Sequence, residues 1–292
     1  MTIQQAFEDF MLEQKVRGNS PKTQEYYSGA LRLLLTYCGP EQEMAALTLA
    51  QLRHHYLALT EKGLSTTTIQ SYVRAWRAFL TWCYQEGYIA ADLPQKFRLP
   101  KAKRPTIDVL TDREVQQLFS SFDTKHLPGL RNYCICALML DSGLRMDEVV
   151  TLETEHVHLA EGYAIVCGKG NKERMVPLGN RSRQMLARYL RRRGPVDNPR
   201  LFQTSQHTPI RQTTVKQLFR KLKKRLNIPR LRAHLLRHTF ATRYLENGGD
   251  MYSLQQILGH TSLEMVKRYV HLTHQKTVAA FPQFSPLDRL AR

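Results

Sequence analysis

Acidic residues are scarce in this chain: 25 Asp+Glu stand against 43 Lys+Arg over 292 residues, a formal net charge of +18. That imbalance argues against cationic partners and points to a polyanion. The few carboxylates do not cluster, which argues against a two-metal phosphoryl-transfer centre, because such a centre needs several of them together. No apolar run reaches the roughly 18 residues of a membrane-crossing helix, so no membrane span is expected. The opening Thr2-Ile3-Gln4-Gln5 lacks the basic and apolar regions of a secretion signal, and a cytoplasmic protein is expected. Cysteine is sparse too. Cys38, Cys83, Cys134, Cys136 and Cys167 are odd in number and scattered, which fits reduced core thiols and not a disulfide framework. Cys134-Ile135-Cys136 has no second pair to complete a zinc site.

What is present is a hydrophobic fraction of 42%, enough for a sizeable core, and a division of the charge. Residues 1–100 hold 10 basic and 9 acidic residues, whereas residues 101–292 hold 33 and 16, a net of +17. The near-neutral part, residues 1–93, shows apolar positions at helical spacing: Ala6-Phe7 with Phe10-Met11, Tyr27 with Leu31 and Leu34, Leu52 with Tyr56 and Leu59, and Ile69 with Val73, Trp76 and Leu80. Ser20, Thr48, and Ser65 or Thr66 precede three of these stripes as expected N-caps, with Pro21 at a first helical position. A bundle of about four helices is expected. The paired starts Ser20-Pro21-Lys22-Thr23 and Ser65-Thr66-Thr67-Thr68 present hydroxyls and cations. Ser20, Lys22 and Thr23, with Arg74 and Arg77, are candidate contacts to a nucleic-acid backbone as well as caps. Residues 94–106 alternate proline with Lys96, Arg98, Lys101, Lys103 and Arg104 and are expected to form an extended basic linker, suited to lie along DNA.

Residues 107–292 open on the capping box Thr111-Asp112-Arg113-Glu114 and read mostly as helix. The exception is a β-hairpin, Tyr163–Cys167 against Arg174–Pro177, around Gly168-Lys169-Gly170-Asn171-Lys172-Glu173. The fold class expected is therefore mainly α with a small antiparallel sheet: an N-terminal helical bundle followed by a mixed α/β domain.

Six residues of this second part suit one task between them. Arg145 follows the helix break at Ser142-Gly143, and Arg237 lies in His234-Leu235-Leu236-Arg237-His238. Both are suited to clamp a phosphate, since a guanidinium fork meets phosphate bidentately and keeps its charge. A helix N-terminus at Arg145 would add to the pull on an anion. Lys169 at a hairpin tip is suited to protonate a leaving oxygen, and His260, after Leu258-Gly259, to donate to a phosphate oxygen. Tyr269, nine residues on, is the candidate nucleophile. A free phenol has a pKa of ~10, so only about one in a thousand is ionised at pH 7, and His234 is expected to take its proton. His234 and His238 have zinc-ligand spacing, but the intervening Leu-Leu-Arg argues against a metal there. No metal or other cofactor is expected.

The runs Ser142-Gly143-Leu144-Arg145-Met146-Asp147-Glu148, Gly168 to Leu178, His234 to Thr242, Leu258-Gly259-His260-Thr261-Ser262 and the Tyr269 region closely resemble the tyrosine recombinases, the phage-integrase and Xer type of site-specific DNA recombinase. The resemblance extends over nearly the whole chain. It implies a core-binding domain over 1–93 and a catalytic domain over 107–292. It also implies a 3′-phosphotyrosine at Tyr269 with release of a 5′-hydroxyl, and a supporting role for Glu148. Strand exchange would occur on double-stranded DNA in a tetramer of this chain, or of it and a related recombinase, from protomers that are monomeric without DNA, using neither ATP nor metal. Residues 275–292, with Val278, Phe281, Phe284, Leu287 and Leu290, are expected to dock onto a neighbouring protomer. No extra arm-binding domain is expected before residue 1, as in the simple two-domain Xer or mobile-element type. The role implied is chromosome dimer resolution or the integration and excision of a mobile element. A type IB topoisomerase or a telomere resolvase shares this chemistry, and a non-catalytic DNA-binding factor would share the charge.

Overall fold

The computed structural model describes residues 1–90, 92–97, 108–168, 172–260 and 262–270. The chain divides into two compact units, Met1–Pro105 and Thr106–Arg292.

The first unit is a helical bundle: α1 (Ile3–Val16), α2 (Pro21–Cys38), α3 (Leu49–Glu61), α4 (Thr66–Gln85) and a single turn, α5 (Leu93–Lys96). Local chemistry sets the helix starts. Ser20, Thr48 and Ser65 accept hydrogen bonds from the backbone amides of Thr23, Gln51 and Thr68, each satisfying an amide that the first helical turn leaves open. The apolar stripes meet in one core, where Phe10 packs edge-on against Tyr27, Phe79 and Trp82 at ring separations of 5.3, 5.4 and 5.5 Å. On α3 the expected Tyr56 packs partly buried against this core, and His55 is buried between Leu52 and Leu59. His55 is stacked between Tyr37 and Trp76. Leu93 and Phe97 are buried in the same core. Residues 94–97 therefore belong to the bundle and not to an extended linker. The rest of the expected linker, with Lys101, Lys103 and Arg104, lies outside the described residues.

The second unit runs α6 (Asp112–Ser120), α7 (Leu127–Asp141), α8 (Met146–Thr151), β1 (Val157–His158), β2 (Tyr163–Cys167), β3 (Glu173–Pro177), α9 (Asn180–Arg193), α10 (Gln212–Leu226), α11 (Ala233–Glu246), α12 (Met251–Leu258) and α13 (Glu264–Val270). Thr111 and Glu114 form the expected capping box. The sheet is antiparallel in the order β1-β2-β3, with Ala164 opposite Val176 and Val166 opposite Arg174. The short strand β1 has no periodic signal of its own and was not expected. Ala164, Val166 and Val176 are buried, so Arg174 shares their inward face. Ser142 at the end of α7 donates to the carbonyl of Pro177, and Asp141 accepts from the Gly179 amide and the Ser182 hydroxyl. These bonds tie the helix break ahead of Arg145 to the exit of the sheet. α7 and α11 run through the centre of the core; Cys134 and Cys136 are among its buried residues, whereas Cys167, expected in a core, is exposed. Among the described residues no helix is long and apolar enough to cross a membrane.

Candidate active site

Arg145 is the N-cap residue of α8. The chain reaches it through Gly143, which has φ +66°, and a Cβ built there would stand 2.5 Å from Phe240 and 2.8 Å from Leu258. Only glycine satisfies both the left-handed backbone and the close approach. The Arg145 amide donates to Glu148 Oε2 at 2.7 Å and its Nη1 to Glu148 Oε1 at 2.9 Å. The expected pull of this helix end on an anion is thus spent on Glu148, and Arg145 serves through its guanidinium, a third of which is exposed.

Glu148 is buried and also accepts from Arg174, Nη1 to Oε1 at 2.8 Å and Nη2 to Oε2 at 2.9 Å. Arg174 Nε donates to the carbonyl of Ile257 at 2.7 Å. Burial alone would push the Glu148 carboxyl up. The hydrogen bonds and charge of Arg174, followed by those of Arg145, outweigh it and hold the group down at about 2. Arg174 therefore links β3, α8 and the end of α12 through one guanidinium. It was not singled out in the sequence, although alternation with Val176 on an inward strand face signals it.

Arg237 is buried on α11, with Nη1 donating to the Gly143 carbonyl at 2.6 Å and Nη2 to the Leu258 carbonyl at 2.7 Å. Burial lowers its pKa to about 9, with the charge of Arg145 adding to the effect. It stays a cation at neutral pH, desolvated and held mainly by neutral carbonyls, which favours an incoming anion. Its Nη2 also lies 3.1 Å from His260 Nε2. A guanidinium only donates, so in this state Nε2 accepts, and the expected donation from His260 to phosphate requires that contact to be exchanged. His260 is positioned by Gly259, the left-handed cap of α12.

His234 is exposed in the first turn of α11 and lines a cleft of about 430 Å³ together with Arg145 and Arg237. The same cleft is lined from α10 by Lys216, Arg220 and Lys223. These cations recur at i, i+4 and i+7, and that spacing is the signal in the sequence that marks them.

Tyr269 lies on α13 and is 3% exposed. Its hydroxyl is 2.8 Å from His238 Nδ1. Among the described residues, the histidine seen at hydrogen-bond distance from the candidate nucleophile is His238. Its imidazole and that of His234 are neighbours on α11, edge to face at 4.7 Å. The structure therefore brings Arg145, Glu148, His234, Arg237 and His260 together and sets Tyr269 against the same helix. Lys169 and residues 275–292 lie outside the described residues. In the first unit, Ser20 and Thr23 are engaged as caps, while Lys22, Arg74 and Arg77 are exposed. Tyr26 donates to the Ser71 carbonyl at 2.6 Å, which joins the start of α2 to α4 one turn before Arg74.

Residues 108–276 match the phage integrase family. The tyrosine recombinase XerD of Halalkalibacterium halodurans is 30% identical over 295 residues, covering 98% of this chain and 99% of that protein. Among solved structures, the Tn1549 transposon integrase in complex with a circular intermediate DNA superposes with a TM-score of 0.80 at 21% identity, over 98% of this chain and 100% of that one. A lambda integrase tetramer bound to a Holliday junction gives a TM-score of 0.74 at 16% identity, over 90% of this chain and 78% of that one. At these identities the structural likeness is one of fold.

Proposed function

Because this chain belongs to the phage integrase family and is a tyrosine site-specific recombinase that cleaves and rejoins DNA, we propose that Tyr269 attacks a DNA phosphate held by Arg145 and Arg237. The observation that carries this reading is the convergence of those two guanidiniums with His234 at a basic cleft, with His260 against Arg237 and Tyr269 against the same helix. As Tyr269 Oη bonds to phosphorus, the bond to the 5′ oxygen breaks. Lys169 supplies a proton to that oxygen, leaving a 5′-hydroxyl and a 3′-phosphotyrosine. Arg145, Arg237, His234 and His260 bear on the non-bridging oxygens, where charge grows during in-line transfer. Glu148 sets the angle of Arg145.

Lys216, Arg220 and Lys223 along α10 hold the duplex backbone. Lys22, Arg74 and Arg77, with Lys101, Lys103 and Arg104, extend the contact, aided by Ser20 and Thr23. Four protomers act on two sites, as the fold shared with an integrase tetramer on a junction supports, with residues 275–292 docking between neighbours. The protein works in the cytoplasm on nucleoid DNA, and neither ATP nor a metal takes part in these steps.

Covalent capture on fragmented genomic DNA tests the reading. Denaturing washes are expected to leave DNA attached to a peptide that contains Tyr269. Tyr269→Phe is expected to bind the same fragments and capture none. An adduct at another residue, or none with the unaltered chain, would overturn the assignment. The captured position also separates dimer resolution from movement of a mobile element, since the first maps to a chromosomal site and the second to an element's ends.

A further inference from the structure

We infer that His238 is the group that accepts the Tyr269 proton, leaving His234 to the phosphate. This rests on the recombinase reading and adds to it a second histidine on α11. His238 Nδ1 lies 2.8 Å from the Tyr269 hydroxyl, within the reach required of a general base. A tyrosine hydroxyl that donates there requires Nδ1 to be unprotonated, so a neutral ring carries its proton on Nε2. His238 is half-buried on a helix face whose neighbours Arg237 and Thr239 are buried, so its backbone is fixed.

His234 differs in place. It is exposed one turn earlier and lines the cleft beside Arg145 and Arg237, on the side from which a phosphate approaches. Among the described residues, the ring groups packed against His238 are His234 from its own helix, at 4.7 Å, and Tyr269 from α13. Arg237, the preceding residue in the chain, adds a fixed positive charge close enough to Tyr269 for each to bear on the other, which favours the phenolate. The step balances: Oη forms its bond to phosphorus, the P–O5′ bond breaks, the phenolic proton passes to Nδ1, and the 5′ oxygen takes a proton from its own donor. In rejoining, Nδ1 returns the proton to Oη.

The test uses the full chain and a duplex recovered by covalent capture, nicked beside the cleaved bond so that the adduct accumulates in a single turnover. His238→Asn is the informative variant, because its side-chain amide sits where Nδ1 was and keeps a hydrogen-bond partner for the phenol without accepting a proton. It is expected to slow adduct formation about 100-fold or more, while DNA binding stays within about threefold. Replacing Tyr269 by 3,5-difluorotyrosine, a more acidic phenol, is then expected to recover about tenfold or more of the lost rate in His238→Asn and to change the parent by less than about threefold. His238→Gln is scored in the same way should the Asn variant unfold.

Three results overturn the inference: cleavage by His238→Asn at the parent rate, slow cleavage that the acidic phenol does not recover, or loss of DNA binding and folding in both variants. If the unaltered chain forms no adduct on any duplex, the recombinase reading itself has failed. An adduct with the parent and an unimpaired His238→Asn sinks only the role of His238.

Discussion

Arg174 meets both oxygens of Glu148, and Glu148 holds Arg145 by its backbone and its side chain. Two arginines thus depend on one buried carboxylate, and removing its charge leaves Arg174 buried against a neutral group. Glu148→Gln is expected to lower the unfolding free energy by about 3 kcal/mol, measured by denaturant titration. The sign of the pH effect follows from the depressed carboxyl, about 2 against an ordinary 4.5. Its contribution is complete above 4.5 and is lost as pH falls from there toward 2. His55 acts in a higher window. Burial first, and then the charge of Lys62, lower its pKa from 6.5 to about 4. A lowered histidine binds fewer protons in the fold than in the unfolded chain, so stability falls as pH drops from 6.5 toward 4, by at most about 3 kcal/mol. His55→Phe keeps an aromatic ring between Tyr37 and Trp76 and is expected to flatten the stability curve in that window. A curve that keeps the parent's slope would show that another group titrates there.

The break between α7 and α8 shows what an element boundary contributes. Its carbonyl at Gly143 accepts from Arg237, and its glycine gives way to Phe240 and Leu258. Gly143→Ala combines a left-handed backbone with an overlap, and is expected to cost about 2–4 kcal/mol in thermal unfolding. Single-turnover cleavage is expected to fall with it, because shifting this turn displaces Arg145 and an acceptor of Arg237 together. Loss of stability with cleavage intact would separate the turn from the site. The helix caps are different in kind. Ser20, Thr48, Ser65 and Thr111 were all legible in the sequence because an N-cap hydroxyl and the amide three residues on are local partners. Strand β1 was not legible, since its two residues gain strand geometry only by pairing with β2.

For the whole molecule the governing quantity is charge. The excess of +17 lies after residue 100, and α10 brings Lys216, Arg220 and Lys223 to the cleft. Replacing any one of them by Gln is expected to weaken duplex binding across sequences and to reduce the slope of log K against log salt by about 1. An unchanged slope for all three would remove α10 from the interface. Composition, caps, helix periodicity, the hairpin and the candidacy of Arg145, Lys169, His234, Arg237, His260 and Tyr269 were legible in the sequence alone, because each is a property of residue type or of spacing within a few turns. Tertiary structure decided which of them meet. Glu148 and Arg174 are 26 residues apart, Arg237 and Gly143 are 94 apart, and His238 and Tyr269 are 31 apart. Such pairs form only when burial of the α7 and α11 faces in one core overcomes the entropy of closing those loops, and no local periodicity records that outcome.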